Sequence, residues 1–331
     1  MSEKPKASGV SGAQAVRRIP VGVSACLLGE KVRFDGQHKH DPYLTGILGA
    51  YFEYVPVCPE VGCGLPIPRE SMHLVGTPET PRLVGNKTGT DYTAQMLEFC
   101  DKAVQELQDK NLHGFIFKAR SPSSGLFHVK LYTEEGNPTS QHTSGLFARA
   151  FTRAFPTLPC EEEGRLNDAG LRENFIERVF ALKRWREEVI SQPSVRVLQE
   201  FHARAKYLLM AHAPEGLQEL GRLAAAATPG NMAATLAAYE TQFLAIVAEC
   251  ATLGRHVNVL QHMQGYFTDR LTSEERQELS DIIEEYAREQ VPLIVPVTLF
   301  RHYIFKYQIA YLMQQHYLYP HPSELKLRNH A

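Results

Sequence analysis

Short apolar segments rich in β-branched residues alternate with longer segments of helical periodicity in the first half of the chain. Continuous apolar runs of this length, bounded by turn residues, are typical of buried strands. The predicted strands cover residues 19–24, 54–57, 114–118, 128–132 and 158–161. Between them, residues 91–108 and 144–155 carry apolar side chains along one face, which predicts amphipathic helices. This alternation predicts an α/β domain, a small parallel sheet with helices on its faces.

The pattern changes after Gly164, where apolar residues recur only at helical spacing and prolines separate the periodic segments. These segments cover residues 175–182, 198–208, 215–227, 232–251, 273–290 and 296–315. The second half is therefore predicted to be all-α. We divide the chain into a disordered tail over residues 1–18, an α/β domain over residues 19–164 and an all-helical domain over residues 165–331.

Composition narrows the class of protein. Of 331 residues, 44% are hydrophobic and 22% are charged, and the formal net charge is -2, as in ordinary globular proteins. Such a balance argues against a nucleic-acid partner, because nucleic-acid binders carry a basic excess or stripe. No apolar run approaches the roughly 18 residues of a membrane span, and the polar first eighteen residues lack the core of a signal peptide. We expect a cytoplasmic protein without a membrane partner.

Cysteines and polar motifs follow three of the predicted strands. The first strand runs into Cys26, the second into Cys58, and the third into the sequence SPSSG at residues 121–125. Cytosolic thiols stay reduced, so clustered cysteines indicate a metal or catalytic site. Because ligands of parallel sheets bind beyond the carboxyl ends of the strands, the three loops are predicted to form one site.

Each of the two cysteine loops also allows an interpretation in which the cysteine has only a structural role. Cys26 is either a thiolate facing the crevice or a small buried hydrophobic residue. Cys58 and Cys63 flank a stiff loop rich in glycine and proline, which suits thiolates that bind soft metals but also suits a plain structural turn. Glu60 is a candidate general acid or base or a loop cap, and Arg69 either binds a polar group of a substrate or pairs with a neighbouring glutamate.

The third loop and the histidines after the first strand complete the candidate residues. Hydroxyls of Ser121 and Ser123 can position a water or a ligand, and the absence of a G-x-S-x-G elbow argues against a serine hydrolase. Asp35, His38 and His40 are expected to line or cover the crevice. The His-x-His spacing leaves open a zinc site formed with the cysteines, although a closed zinc site needs four ligands.

Several motifs occur in a fixed order and resemble those of a known family. They are SACLLG at residues 24–29, RFDG at 33–36, CPE at 58–60, GLPIPR at 64–69 and KARSPSSG at 118–125. Together they resemble the thiouracil desulfidase family over residues 19–162. The second half, with GRLND at residues 164–168 and YPHP at 319–322, is similar to the YbgA-like helical domain that is often fused to that family.

The resemblance implies a non-redox, hydrolytic desulfuration. A [4Fe–4S] cluster is held by three cysteines, its open iron binds the sulfur of a thiolated pyrimidine, and a Glu and a Ser handle the attacking water. Carried onto this chain, the first ligand is Cys26 and the second lies in the loop from Cys58 to Cys63. Glu60 and Ser121 correspond to the catalytic pair. The remaining crevice residues, which are expected to contact the substrate, are Arg69, Asp35 and Ser123.

One position departs from the family pattern, because Ser124 stands where a third cysteine ligand is expected. This departure leaves three explanations open. Cys26, Cys58 and Cys63 together bind the cluster, or the serine disables the site, or this chain has lost the cluster. The expected function is iron–sulfur-dependent desulfuration of a thiolated nucleobase such as thiouracil, with a thiolated RNA left open as a larger substrate. The alternative is a non-catalytic module that binds a nucleobase or small ligand while the helical domain recruits a partner.

Overall fold

A computed structural model describes residues 18–329, so the tail predicted over residues 1–18 lies almost entirely outside the described residues. The strands are β1 (Ile19–Ser24), β2 (Phe52–Val57), β3 (Met72–Gly76), β4 (Pro81–Gly85), β5 (Phe115–Phe117), β6 (Val129–Tyr132), β7 (Pro138–Thr143) and β8 (Cys160–Glu162). The helices of the first half are α1 (Pro59–Gly62), α2 (Thr93–Gln108) and α3 (Leu146–Ala154). Those of the second half are α4 (Ala169–Arg184), α5 (Val195–His212), α6 (Pro214–Ala225), α7 (Met232–Ala248), α8 (Leu253–Gln264), α9 (Ser273–Ala287), α10 (Ile294–Lys306) and α11 (Ala310–Met313).

The first sheet is parallel throughout and has the strand order β2-β1-β5-β8. One of its faces buries Phe115 and Phe117 against Phe147 and Phe151 of α3. A strand buried on both faces reads as a continuous apolar run, which is why the sequence predicted β1 and β5. The strand β2 lies at the edge of the sheet, and its residues after Phe52 are exposed or half-buried. The predicted α/β class, followed by an all-α half, is confirmed.

The other face of the first sheet is covered by α4, which lies beyond the predicted domain boundary at Gly164. Val21 and Ile116 of the sheet share one buried apolar cluster with Phe175 and Val179 of α4. A side-chain carbon on Gly114 would lie 3.0 Å from Val179, so strand and helix are in close contact there. The α4 helix therefore completes the core of the α/β half while it leads into the helical half.

A second sheet has the order β4-β3-β6-β7, with β3 parallel to β6 and the other neighbours antiparallel. The sequence analysis assigned residues 128–132 to the parallel sheet, but β6 belongs to this second sheet. It also missed β3, β4 and β7. The reason is that only one face of this sheet is buried, so β4 alternates buried and half-buried residues and the polar β7 buries none.

The helical half packs around aromatic side chains. Trp185, which is fully buried, stacks on Tyr239 with ring centres 5.1 Å apart and contacts Phe201 edge-on at 5.4 Å. Within the described residues, no single helix has both the length and the apolar composition of a membrane span. Only Met232–Ala248 and Leu253–Phe267, taken together across a bend of 114°, meet both criteria.

Candidate functional site

The carboxyl ends of β1, β2 and β5 lie side by side and open into one crevice. In the sheet, Ser24 lies opposite Val57 and Val23 lies opposite Ile116. The residues that follow these strands, together with Met72 of β3, line a crevice of about 240 Å³. Ligands of open parallel sheets bind at this edge. The structure thus brings the three predicted loops together.

Two thiols face the crevice from two of the loops. Cys26 lies in the 3₁₀ turn Ala25–Leu28, and Cys58 caps the N-terminus of α1. Burial raises the pKa of Cys26 to about 11, against the opposing effect of the Lys118 charge. Burial also raises the pKa of Cys58, while the backbone N–H of Val61 acts in the opposite direction. Both groups are therefore neutral thiols near pH 7 until a cation displaces their protons.

Cys63 does not join them in the crevice. It follows the single turn of α1, where its thiol donates to the carbonyl oxygen of Glu60 at 3.3 Å and packs against the hydrophobic core. Cys58 belongs to the lining of the crevice and Cys63 does not. The structure therefore separates Cys63 from Cys26 and Cys58.

Glu60 is held in a chain of hydrogen bonds along the crevice wall. Arg69 donates from Nε to Glu60 Oε2 at 2.9 Å and also contacts that oxygen through Nη2. Ser123 donates to Glu60 Oε1 at 2.9 Å, and Ser121 Oγ lies 3.0 Å from Ser123 Oγ. Of the two glutamates that the sequence offered to Arg69, the partner is Glu60. Residues from two separate loops thus form one largely buried chain of hydrogen bonds, called the polar line below, which runs from Arg69 through Glu60 and Ser123 to Ser121.

The loop over residues 118–125, called the serine loop below, is tightly held. Ser121 Oγ accepts hydrogen bonds from the backbone N–H groups of Ser123 and Ser124. A side-chain carbon on Gly145 would lie 2.5 Å from the Ser123 carbonyl, so the start of α3 can approach the loop only at a glycine. Ser124 is buried and lines the crevice beside the two thiols.

The segment that follows β1 contributes less than the sequence suggested. Arg33 lines the crevice, but Asp35 does not, and its carboxylate pairs with Arg33 at 3.5 Å on the exposed side of the loop. His38 and His40 are exposed, and His40 Nε2 bonds to the Thr45 hydroxyl at 2.8 Å. The structure therefore does not bring Asp35 or the two histidines to the crevice.

A [4Fe–4S] cluster held by three cysteines does not fit these residues, because of the described cysteines only Cys26 and Cys58 line the crevice. Within residues 18–329, no group of three or more His, Cys, Asp or Glu side chains is placed to bind a metal ion. Ser124 supplies a hydroxyl on the same wall, and Lys118 and Arg33 supply positive charge near Cys26. The crevice thus offers two thiols and, on Ser124, one hydroxyl.

Sequence reasoning missed the support that the serine loop receives from the end of β8. Glu162 Oε1 accepts hydrogen bonds from the N–H groups of Leu126 at 2.8 Å and Phe127 at 3.1 Å. Glu163 pairs with Lys118 and accepts from the Ala119 N–H at 2.7 Å. The available signal was the run of three glutamates at residues 161–163, which β8 carries into the interior, where buried carboxylates need partners.

Two known families match the chain, one in each half. Residues 21–163 match the 2-thiouracil desulfurase family, and residues 206–322 match the family described as a protein of unknown function, DUF1722. The chain is also similar to the uncharacterized protein YbgA of Escherichia coli strain K12. The two are 31% identical over 156 residues, which covers 46% of this chain and 90% of YbgA.

Among solved structures, the chain is similar to the [4Fe-4S]-dependent thiouracil desulfidase TudS. The sequences are 29% identical, the match covers 46% of this chain and 95% of that protein, and the TM-score is 0.38.

Proposed function

Since the chain belongs to the family of YbgA and joins a 2-thiouracil desulfurase domain to a DUF1722 domain, we propose that it removes sulfur from a thiolated nucleobase such as thiouracil. The observation that carries this proposal is the hydrogen-bonded line from Arg69 through Glu60 to Ser123. A base in a fixed orientation on the wall of a partly apolar crevice is what hydration of a thiocarbonyl carbon requires.

The reaction replaces sulfur by oxygen. A water molecule attacks the thiocarbonyl carbon, a C–O bond forms, the C–S bond breaks, and sulfur leaves as hydrosulfide. The carbon keeps its oxidation state, so no oxidant or reductant is consumed. Ser121 orients the water, and one of its protons passes through the Ser123 hydroxyl to Glu60 and then to the departing sulfur. The second proton is released to solvent as the carbonyl group forms. Arg69 keeps the Glu60 carboxylate aimed at Ser123, because two of its N–H groups hold the opposite oxygen.

The crevice size favours a single base as substrate. Its volume of about 240 Å³ is below the range of about 300–1,000 Å³ that is usual for pockets of drug-sized ligands. Apolar side chains line the crevice together with the polar line, which suits a flat ring with one polar edge. The side chains that provide these apolar surfaces are Ala25, Val32, Phe34, Val57 and Met72.

As cofactor we propose a [4Fe–4S] cluster held by Cys26, Cys58 and Ser124. When bound, a cluster supplies a Lewis acid that polarises the thiocarbonyl sulfur. The chain's own contribution is to offer two thiols whose pKa values are raised by burial, so that proton release accompanies iron binding. Lys118 and Arg33 balance the negative charge that then accumulates in the crevice.

The test is sulfide release from thiouracil by the full chain after anaerobic reconstitution, with iron and sulfide quantified in the same sample. Glu60→Gln keeps the shape of the side chain but removes the base, so we expect the rate to fall by about 10²–10⁴-fold at unchanged iron content. Glu134→Gln, at an exposed glutamate outside the crevice, is the matched control and should retain full activity. Equal turnover by an iron-free preparation would overturn the cofactor assignment but leave the reaction standing.

A second candidate is favoured by Ser124, which removes a thiol from the crevice. In this alternative the α/β half binds a nucleobase without converting it, and the helical half recruits a partner. Thiouracil would then raise the melting temperature of the chain, since a ligand that binds the native state stabilises it. No sulfide would be released at any iron loading.

A further inference from the structure

A second cavity, which shares no lining residue with the crevice, lies in the helical half. It has a volume of about 520 Å³ and opens between the first turns of α4, the ends of α5 and α9, the start of α8 and the C-terminal turn Leu327–Asn329. This volume falls within the range of about 300–1,000 Å³ that is typical of small-molecule sites. Neither the desulfurase chemistry nor the packing of the helices accounts for it.

A network of buried charges forms the floor of this cavity. Glu177, His212 and Arg328 are 3%, 1% and 3% exposed. Arg328 donates to Glu177 Oε1 and to Glu173 Oε1, each at 3.2 Å. His212 Nε2 lies 3.1 Å from Glu177 Oε2, and its Nδ1 contacts the carbonyl oxygen of Glu249. Since both ring nitrogens face acceptors, only the imidazolium form satisfies them.

The charges around the cavity do not balance. On the floor, Arg328 and the His212 imidazolium neutralise the carboxylates of Glu173 and Glu177. Two further carboxylates line the cavity, Asp168 and Glu289, and neither forms an ion pair with any residue from 18 to 329. Among the lining residues that the structure describes, the excess is therefore negative, which favours a positively charged occupant over an anion.

Tyr286 points independently to a missing partner. Its side chain is only 7% exposed and lines the cavity, and its hydroxyl makes no hydrogen bond with another described residue. Burial, followed by the nearby charge of Glu173, raises its pKa, so the group is a neutral phenol. The hydroxyl therefore has its donor and acceptor positions available to an occupant of the cavity. A ligand there would provide its hydrogen-bond partner.

We propose that this cavity binds a small organic cation, in which a primary ammonium or guanidinium group is carried on a short apolar body. The cationic group donates to the Tyr286 oxygen and to the carboxylates of Glu289 and Asp168, while the ring face of Tyr286 adds a cation–π contact. Leu171, Leu253 and Leu293 provide the apolar wall for the body. A bare metal ion is disfavoured, because the described residues offer no metal-binding group of three side chains here.

Isothermal titration calorimetry of the full chain with agmatine and with putrescine tests the proposal. We expect saturable binding of at least one of the two, with acetate and inorganic phosphate giving no heat beyond dilution. Tyr286→Phe keeps the ring and removes the hydroxyl, and Glu289→Gln neutralises an exposed carboxylate without opening space. Each is expected to weaken binding about three- to tenfold, the value of one hydrogen bond or one charge contact.

Tyr303→Phe is the matched control, because the Tyr303 hydroxyl donates to Glu278 and does not line this cavity. Its affinity for the probe should equal that of the wild-type chain. The proposal is overturned if neither amine binds at millimolar concentration. It is equally overturned if binding persists unchanged in both Tyr286→Phe and Glu289→Gln, or if the anions bind in place of the amines.

Discussion

Replacing Arg69 by leucine tests whether the polar line of the crevice is a buried structure or a surface feature. The Arg69 side chain is 4% exposed and that of its partner Glu60 is 15% exposed. Arg69 also donates to the carbonyl oxygen of Val32 at 2.9 Å. Its removal therefore leaves this oxygen and Glu60 Oε2 without their arginine donor. Arg69→Leu leaves the Glu60 carboxylate without its counter-charge in a poorly hydrated site.

The magnitude follows from that burial. Removing one partner of a buried ion pair costs about 3–5 kcal/mol, whereas an exposed pair contributes about 0–1 kcal/mol. Arg82→Leu is therefore the matched control, because Arg82 is 43% exposed although it pairs with both Asp91 and Glu134. We expect Arg69→Leu to lower the free energy of unfolding several-fold more than Arg82→Leu. The double variant Arg69→Leu/Glu60→Gln should recover part of the loss, since no charge is then left unpaired.

Urea unfolding followed by far-UV circular dichroism and by the fluorescence of Trp185, the single tryptophan, provides the measurement. The two signals report on the whole chain and on the helical half, and coincident transitions justify a single free energy of unfolding. If Arg69→Leu costs no more than Arg82→Leu, the pair is solvent-screened and the reasoning about a fixed base fails. The same conclusion follows if the double variant is no more stable than Arg69→Leu.

Two further predictions concern the cluster ligands and the helical half. Ser124→Cys completes a set of three crevice thiols, so it should raise the bound iron and the visible absorption after reconstitution. Cys63→Ser should leave both quantities unchanged. Lower iron in the Cys63 variant would show that this thiol is a ligand. For His212, burial disfavours the charged ring, but Glu177 and the Glu249 carbonyl outweigh it and raise its pKa. Its contribution is present below the unfolded value of about 6.5 and is lost as the pH rises through the higher folded value. The wild-type chain should therefore lose stability as the pH rises above about 6.5, and His212→Gln should flatten that slope. An unchanged slope in the variant would contradict the assignment.

The sequence located the site because its three strands contain short runs of mostly apolar residues. Continuous apolar runs identify such strands without knowledge of their neighbours, and a parallel sheet then fixes which ends converge. This is how Cys26, Cys58 and Ser121 were placed together. The second sheet escaped prediction because β7, with the sequence PTSQHT, buries no residue and is an edge strand that pairs with β6.

The side-chain directions at the site could not be read in the same way. Whether Cys63 faces the crevice depends on a single helical turn between residues 58 and 63, and loop sequences rich in glycine and proline do not specify that turn. The sequence alone also does not show that Arg69 pairs with Glu60 and not with Glu70. Glu70 is instead engaged by the Thr88 hydroxyl and the N–H of Lys87, contacts that arise from strands the sequence did not reveal.

The position of α4 has a consequence for how the two halves can evolve. The α4 helix is part of both halves. Its Phe175 and Val179 pack against the sheet, whereas its Glu177 accepts a hydrogen bond from Arg328 in the helical half. Recombination at Gly164 would leave the sheet with a bare apolar face in one product. A substitution in α4 must therefore be compatible with the packing of both halves. A change that one half accepts is still excluded if the other half does not accept it.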